Sequence, residues 1–323
     1  MYRYTRASIS VSLLLMLAVA GASGGMAAEV DWSKVPVKTI KVFYPGQASW
    51  DFMISQDHGT GAAPVKTLKK ACAECHVSDT GEYDINADKI IGGELKRAKS
   101  KQVLEPEGLA GAKGFKDVAL QIAYDADNLY LRSQWPGSGA SVTDPALADD
   151  GKADRISFQI ADKIKTFGMY GCYITCHDDE ENMPENRGTE VTLYGYYTRD
   201  KDGSVKDQPT LDAYLAKGQF IDLLEAAFVG SEVKTEDMYV LDKRNKDQND
   251  VTAAGGFENG TYTVVITRKL ATGDNNDITL ADGARFDLTV AIHDNKNTGR
   301  KHYTSFPVSI GLSTSADITA QKL

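Results

Sequence analysis

Apolar and polar positions alternate with a period of two over much of the chain. Val118, Leu120, Ile122 and Tyr124 are separated by shorter or polar residues, the pattern of a half-buried strand. An Asp125-Ala126-Asp127-Asn128 turn leads into Leu129-Tyr130-Leu131, and this second strand ends at Trp135-Pro136. Ile156, Phe158 and Ile160 make another alternating run, as do Tyr262, Val264 and Ile266, and then Phe286, Leu288, Val290 and Ile292. Gly, Asn, Asp or Pro bounds each run. The intervals are too short and turn-rich for helical crossovers, so the pattern predicts a mainly β fold, an antiparallel β-sandwich. One helix is predicted over residues 211–228, where Leu211, Tyr214, Leu215, Leu223, Leu224 and Phe228 recur near helical spacing. Polar loops are predicted over 178–187 and over much of 242–256, and long loops on a β scaffold are where ligands are usually held.

The N-terminus has a different grammar. Arg3 and Arg6 precede an apolar run over residues 11–20, and small residues follow with cleavage points after Ala22 or Ala28. That is the tripartite form of a secretory signal peptide. The competing reading is an uncleaved anchor, although the run is short for a bilayer span. The expected organisation is a signal peptide over 1–28, an N-terminal segment over 29–110, and a sandwich domain over 111–323. The 323 residues carry 36 Lys+Arg and 45 Asp+Glu, a net charge of −9. Without Arg3 and Arg6, 34 positive and 45 negative charges leave −11. Such a balance argues against nucleic acid or an anionic membrane as partner. The expectation is a soluble periplasmic protein, with no membrane span in the mature chain, that docks on a basic surface.

The chemistry lies in the four cysteines. Cys72-Ala73-Glu74-Cys75-His76 is a C-x-x-C-H motif, the attachment signature of c-type haem. Two thiols at this spacing add to the two porphyrin vinyl groups, and the adjacent His lies beneath the iron as proximal ligand. Cys172-Tyr173-Ile174-Thr175-Cys176-His177 repeats the motif with one extra spacer, and an outward bulge would keep its sulfurs at vinyl separation. The competing uses are a disulfide within each loop or a zinc site. Zinc would require both Cys pairs to converge and would leave two His without a role. Two covalent c-type haems consume all four cysteines, leaving none for redox sensing or nucleophilic catalysis.

Of five His, three remain as distal ligands. His58 lies fourteen residues before Cys72, across a Gly-rich stretch, and is the candidate for the first haem, with Met53 as fallback. His302 opens what reads as the last strand and His293 ends the strand before it, so both flank one loop end of the sandwich. His302 is the favoured distal ligand of the second haem; His293 is the alternate, or a histidine hydrogen-bonded to Asp294. Met183 and Met169 read as packing residues. Arg187, Arg268 and Arg300 are candidates for haem propionates, or simply solvated. The 294–299 stretch has a faint calcium-loop look, but Lys296 and Thr298 break the ligand pattern.

Three stretches carry a family likeness: Phe167-Gly168-Met169-Tyr170-Gly171-Cys172; Cys176-His177-Asp178-Asp179 with Met183-Pro184; and Ala291-Ile292-His293-Asp294 followed by His302 and Ser305-Phe306. Together they resemble the haem-binding subunit family of ethylbenzene dehydrogenase and related dimethyl-sulfoxide-reductase-type molybdoenzymes. The likeness covers roughly residues 118–312, and residues 50–76 resemble the extra haem segment of the family's c-type members. The resemblance implies a DOMON-like β-sandwich with haem at its loop end. In the ethylbenzene dehydrogenase type a b haem is held by Met and Lys. Met169 falls near that Met, and His302 falls where the ligating Lys would be. This chain departs from the pattern by adding covalent attachment and His177, which makes His177 with His302 the pair the resemblance implies for the second haem.

The expected function is one-electron transfer by an exported dihaem cytochrome c, a carrier rather than an enzyme. Its redox partners would be a quinol dehydrogenase, a cytochrome or a molybdoenzyme. Two alternatives stand beside it. One is a haem subunit of a periplasmic molybdoenzyme-type complex. The other is a haem peroxidase or oxyanion reductase with an open distal site, for which Asp178, Asp179 and Glu180 would be the nearby acid–base groups.

Overall fold

Alternation in the sequence becomes two-sidedness in the sheet. In a computed structural model, β1 (Lys38–Phe43), β2 (Phe115–Tyr124), β3 (Asn128–Pro136) and β4 (Arg155–Ala161) are followed by a short pair, β5 (Thr175–Cys176) and β6 (Tyr194–Gly195). Then come β7 (Ile221–Val229), β8 (Glu232–Val240), β9 (Arg244–Lys246), β10 (Thr252–Glu258), β11 (Thr261–Lys269) and β12 (Arg285–His293). The chain closes with β13 (Tyr303–Ser305), β14 (Val308–Leu312) and β15 (Ile318–Lys322). The structure describes residues 30–323 apart from 47–49, 59–64, 66, 68, 80–81, 84, 106–107, 110, 177–192 and 298–300, and omits the side chains of Trp50, Asp51 and Cys176. The predicted signal peptide, His177, Asp178, Asp179, Glu180, Met183, Arg187 and Arg300 therefore lie outside the described residues.

Apart from β5 and β6, the strands join in one sheet of order β10-β11-β3-β2-β1-β13-β12-β4-β7-β8-β9. β14 and β15 bridge from β12 back to β2. The sheet folds over on itself as a β-sandwich, antiparallel except where β15 runs parallel to β14 and β2. Residues Asp31–Leu323 form one compact unit, and β1, which comes from the segment before residue 110, lies between β2 and β13.

On β4 the alternating Ile156, Phe158 and Ile160 are fully buried in the sandwich core, facing Trp135 on β3 and Tyr262 on β11. On β12 the same role falls to Phe286, Leu288, Val290 and Ile292. The intervening residues face the other way. There a second apolar layer forms from Phe43, Ala161, Ile221, Leu223, Met238, Val240 and Phe306, with Phe167, Tyr170, Tyr173 and Ile174 laid over them. This outer layer, rather than the sandwich core, receives the cysteine motifs. The predicted turn at Asp125 is present: its Oδ1 accepts from Asp127 N and Asn128 N at 2.8 and 2.7 Å.

Three sequence expectations are corrected. The helix predicted over 211–228 is a helix only over Gln208–Ala216, capped by Asp207, whose side chain accepts from Thr210 N at 3.0 Å. Gly218 at φ +68° ends it, and Leu223, Leu224 and Phe228 belong to β7. That strand reads as helical because both of its faces are apolar, one in each layer. The polar stretch 242–256 contains β9 and β10, edge strands whose exposed side chains explain their composition. The strand after His302 is not the last, since β14 and β15 follow it.

Candidate functional site

The first motif folds as a single tight turn. Cys75 N and His76 N both donate to Cys72 O, at 3.1 and 3.0 Å, so the 3₁₀ turn Cys72–Glu74 brings both cysteines and His76 together. Glu74 reaches back to accept from Ala71 N at 2.7 Å and braces the turn. Cys72 packs against the outer apolar layer while Cys75 is exposed. Burial pushes the Cys72 thiol up to about 12, so it is held as a thiol rather than a reactive thiolate.

His58 is brought to the same place from the other side. Asp57 accepts from Lys99 N and Ser100 N at 2.7 and 3.0 Å, which pins the loop ahead of His58. The imidazoles of His58 and His76 stand with centroids 6.0 Å apart and planes at 88°. Two imidazoles bound on opposite sides of one metal, each at about 2 Å, have centroids roughly 6 Å apart. The separation is the one a shared iron would require. Burial, then the charge of His76, holds the His58 pKa below its ordinary value, favouring the neutral imidazole that ligates metals. Met53, the fallback, is buried in the outer layer as a packing residue.

An aromatic row links this turn to the second motif. His76 stacks on Phe306 at 6.2 Å and 28°, and Phe306 meets Tyr173 at 6.2 Å. Tyr83 and Phe43 close on Phe306 at 4.9 and 5.7 Å. Sequence reasoning quoted Phe306 only as part of a resemblance and did not see it as the meeting point of the two motifs.

The described half of the second motif, Gly171–Ile174, lies flat on the outer face of the sheet. Gly171, at φ +57°, comes so close to β12 that a Cβ there would sit 2.5 Å from Thr289 Cγ2. The Cys172 thiol is buried and hydrogen-bonded with Thr289 Oγ1 at 2.9 Å, and burial raises its pKa. Thr289, Ala291 and His293 share one face of β12 because strand side chains alternate. His293 lies about 13 Å along the strand from Thr289, at about 3.3 Å per residue.

His293 and His302 stack on each other, with centroids 4.3 Å apart and planes at 14°. Both are buried. At that separation they cannot stand on opposite sides of one iron, so at most one of them serves it while its neighbour packs alongside. The His302 ring lies against Gly46, where a Cβ would fall 2.0 Å from His302 Nε2. Asp294 accepts from Lys116 Nζ at 2.5 Å and from Ser138 N and Oγ at 2.9 and 2.7 Å. Met169 packs, half-buried, against the outer layer.

Arg268 is corrected outright as a propionate candidate. It is 1% exposed and belongs to the interior of the sandwich, where its Nη2 pairs with Asp222 Oδ2 at 3.1 Å and donates to Ile278 O at 3.0 Å.

Over 310 residues, covering 94% of this chain and 94% of the relative, the chain is 34% identical to cytochrome c-552 of Stutzerimonas stutzeri. It is 26% identical to cytochrome c-551 of Rhodocyclus tenuis over 87% of this chain and 94% of that protein. A family profile described as ethylbenzene dehydrogenase matches residues 225–305, from β7 through β13 and including both His293 and His302. Among solved structures, a family 9 carbohydrate-binding module from Caldicellulosiruptor kristjanssonii in complex with glucose aligns at 8% identity with a TM-score of 0.29, covering 59% of this chain and 65% of that one; the likeness is too slight to support any inference. No helix among the described residues is long and apolar enough to cross a membrane.

Proposed function

The chain belongs to the family of cytochrome c-552, haem proteins of electron transfer, and from that premise we propose that it is an exported dihaem cytochrome c passing single electrons between redox partners. The observation that carries the reading is the arrangement of His58 and His76, 6.0 Å apart and perpendicular beside Cys72 and Cys75. A bound haem supplies a one-electron iron couple, tuned by its axial ligands, burial and hydrogen bonding. The residues do the rest. Cys72 and Cys75 would tether the first porphyrin, and Cys172 and Cys176 the second. His76 and His58 would close the first iron, and His177 with His302, or with His293, the second. Phe43, Tyr83 and Tyr173 pack on Phe306 between the two motifs, and their contact supports an internal relay between neighbouring haems. Export by a cleaved leader to the periplasm belongs to the same reading.

A pyridine haemochrome assay with intact-mass measurement, on protein matured in a host that attaches c-type haem, tests the count. Two covalent haems are expected; one or none overturns the dihaem reading. His58→Ala is expected to turn the first haem partly high-spin in the ferric absorption spectrum while the second stays unchanged. Rapid cyanide binding by the protein as isolated would instead point to an open distal position and an enzyme. A second reading, the haem subunit of a periplasmic molybdoenzyme-type complex, draws on the ethylbenzene dehydrogenase match over 225–305. Stable co-purification with a catalytic subunit would favour it.

A further inference from the structure

At the end of the sandwich away from the histidine pair, three carboxylates converge inside the protein. Asp222 on β7 pairs in register with Ile160 on β4, and Ile160 with Leu288 on β12. That level is five residues, about 17 Å, along β12 from His293. Asp237 comes from the adjacent β8, and Asp277 from the segment between β11 and β12. Their exposures are 0%, 3% and 8%, and one carboxylate oxygen from each lies within 4.8 Å of the others.

These groups have few donors for buried carboxylates: Ile278 N reaches Asp222 Oδ2 at 3.3 Å and the Thr272 side chain supports Asp277. Both oxygens of Asp237 and Oδ1 of Asp222 are buried with no hydrogen-bond partner. Burial of an ionised carboxylate without a partner costs several kcal/mol. The nearby cation, Arg268, sits 3.1 Å from Asp222 and 4.0 Å from Asp277. Three carboxylates against one guanidinium leave a deficit of two positive charges. Asp250 and Asp247 stand at the margin, each with one further buried oxygen that has no partner. Burial, then the charges of Asp222 and Asp277, pushes the Asp237 carboxyl up to about 8, as expected of a buried group held beside like charges.

We propose that Asp222, Asp237 and Asp277 form a calcium-binding site that ties β7 and β8 to the segment leading into β12. An all-oxygen donor set selects a hard cation over zinc or copper. Calcium accepts about six to eight oxygens in flexible geometry, whereas magnesium demands a near-ideal octahedron and gives up its waters reluctantly, so carboxylates gathered from two strands and a loop suit the larger ion. With all three carboxylates ionised, two negative charges are left over from Arg268, so a divalent ion would neutralise the cluster on binding and displace any proton held by Asp237. A cleft of about 750 Å³ reaches Asp277, and its lining includes Asp212, Asp274 and the ion-paired Asp162 and Lys163.

The test uses the haem-loaded protein, stripped with EGTA, desalted, and titrated with calcium chloride alone while metal content and melting temperature are measured. One equivalent of calcium per chain is expected to bind, with a dissociation constant at or below about 1 mM, the range of extracellular calcium modules, and to raise the melting temperature. Asp237→Asn is expected to weaken calcium binding at least tenfold and abolish the thermal shift while keeping the haem spectrum. If that variant does not fold, Asp277→Asn at the cleft serves the same purpose. Failure of the wild-type protein to bind calcium at about ten times that concentration, equal response to magnesium, or undiminished binding by a folded variant overturns the proposal.

Discussion

Two groups of buried acids occupy opposite ends of the sandwich, and they are constructed on opposite terms. Beside the histidine pair, Asp154 accepts from Ser141 N at 2.9 Å, from Asn295 N at 2.8 Å and from the Tyr262 hydroxyl. Asp294 next to it has Lys116 and both donors of Ser138. Burial works against the charge of Asp294, yet Lys116 and Ser138 hold its carboxyl below the ordinary range. At the far end, Asp222, Asp237 and Asp277 share one arginine, and each is raised by burial. The first group is complete within the chain and works as a clamp on the loop after His293. The second is complete only if positive charge arrives from outside. The lesson is that burial alone does not say what a carboxylate is for; the tally of its donors does.

The contrast can be broken by substitution. Asp154→Ala should have the largest effect, since three donors lose their acceptor at once; a loss of about 3 kcal/mol in urea unfolding is expected. Lys116→Met leaves Asp294 charged and buried without its counterion, and should cost about 2 kcal/mol in the same measurement. Asp237→Asn, unfolded in EGTA near neutral pH, should go the other way: stability unchanged or raised by up to about 1 kcal/mol, because the folded state no longer has to keep a proton on a carboxyl that the unfolded chain releases. A loss as large as that of Asp154→Ala would erase the distinction between the two ends. Gly46→Ala is read by spectrum rather than by stability. Its methyl would collide with His302, and the ring must shift, so the absorption spectrum of the second haem should change while that of the first does not.

Much of the frame could be read from the residues alone. Ile156-Phe158-Ile160 and Phe286-Leu288-Val290-Ile292 obey period two because one face of each strand packs in a core, and the structure places them there. The same rule misled at β7. Its outer residues Ile221 and Leu223 are covered by the layer that carries the cysteine motifs, so the strand shows no polar face and imitates a helix. β9 and β10 were hidden by the opposite cause, since edge strands keep polar side chains in water. C-x-x-C-H is legible because covalent chemistry dictates local spacing. Neither the closeness of His58 to His76 nor the stacking of His293 on His302 has any such local signal.

What the sequence determined by itself is whatever depends on neighbours along the chain: strand periodicity, the turn at Asp125, the thiol spacing and the acidic net charge. Only the tertiary structure decided which distant residues meet. Phe306 joins the two motifs, Gly46 makes room for His302, and Asp222, Asp237 and Asp277 gather around one arginine from separate strands and loops. The reason is that contacts across a sandwich are set by register and by which face each residue occupies, and both emerge only when all the strands are packed together.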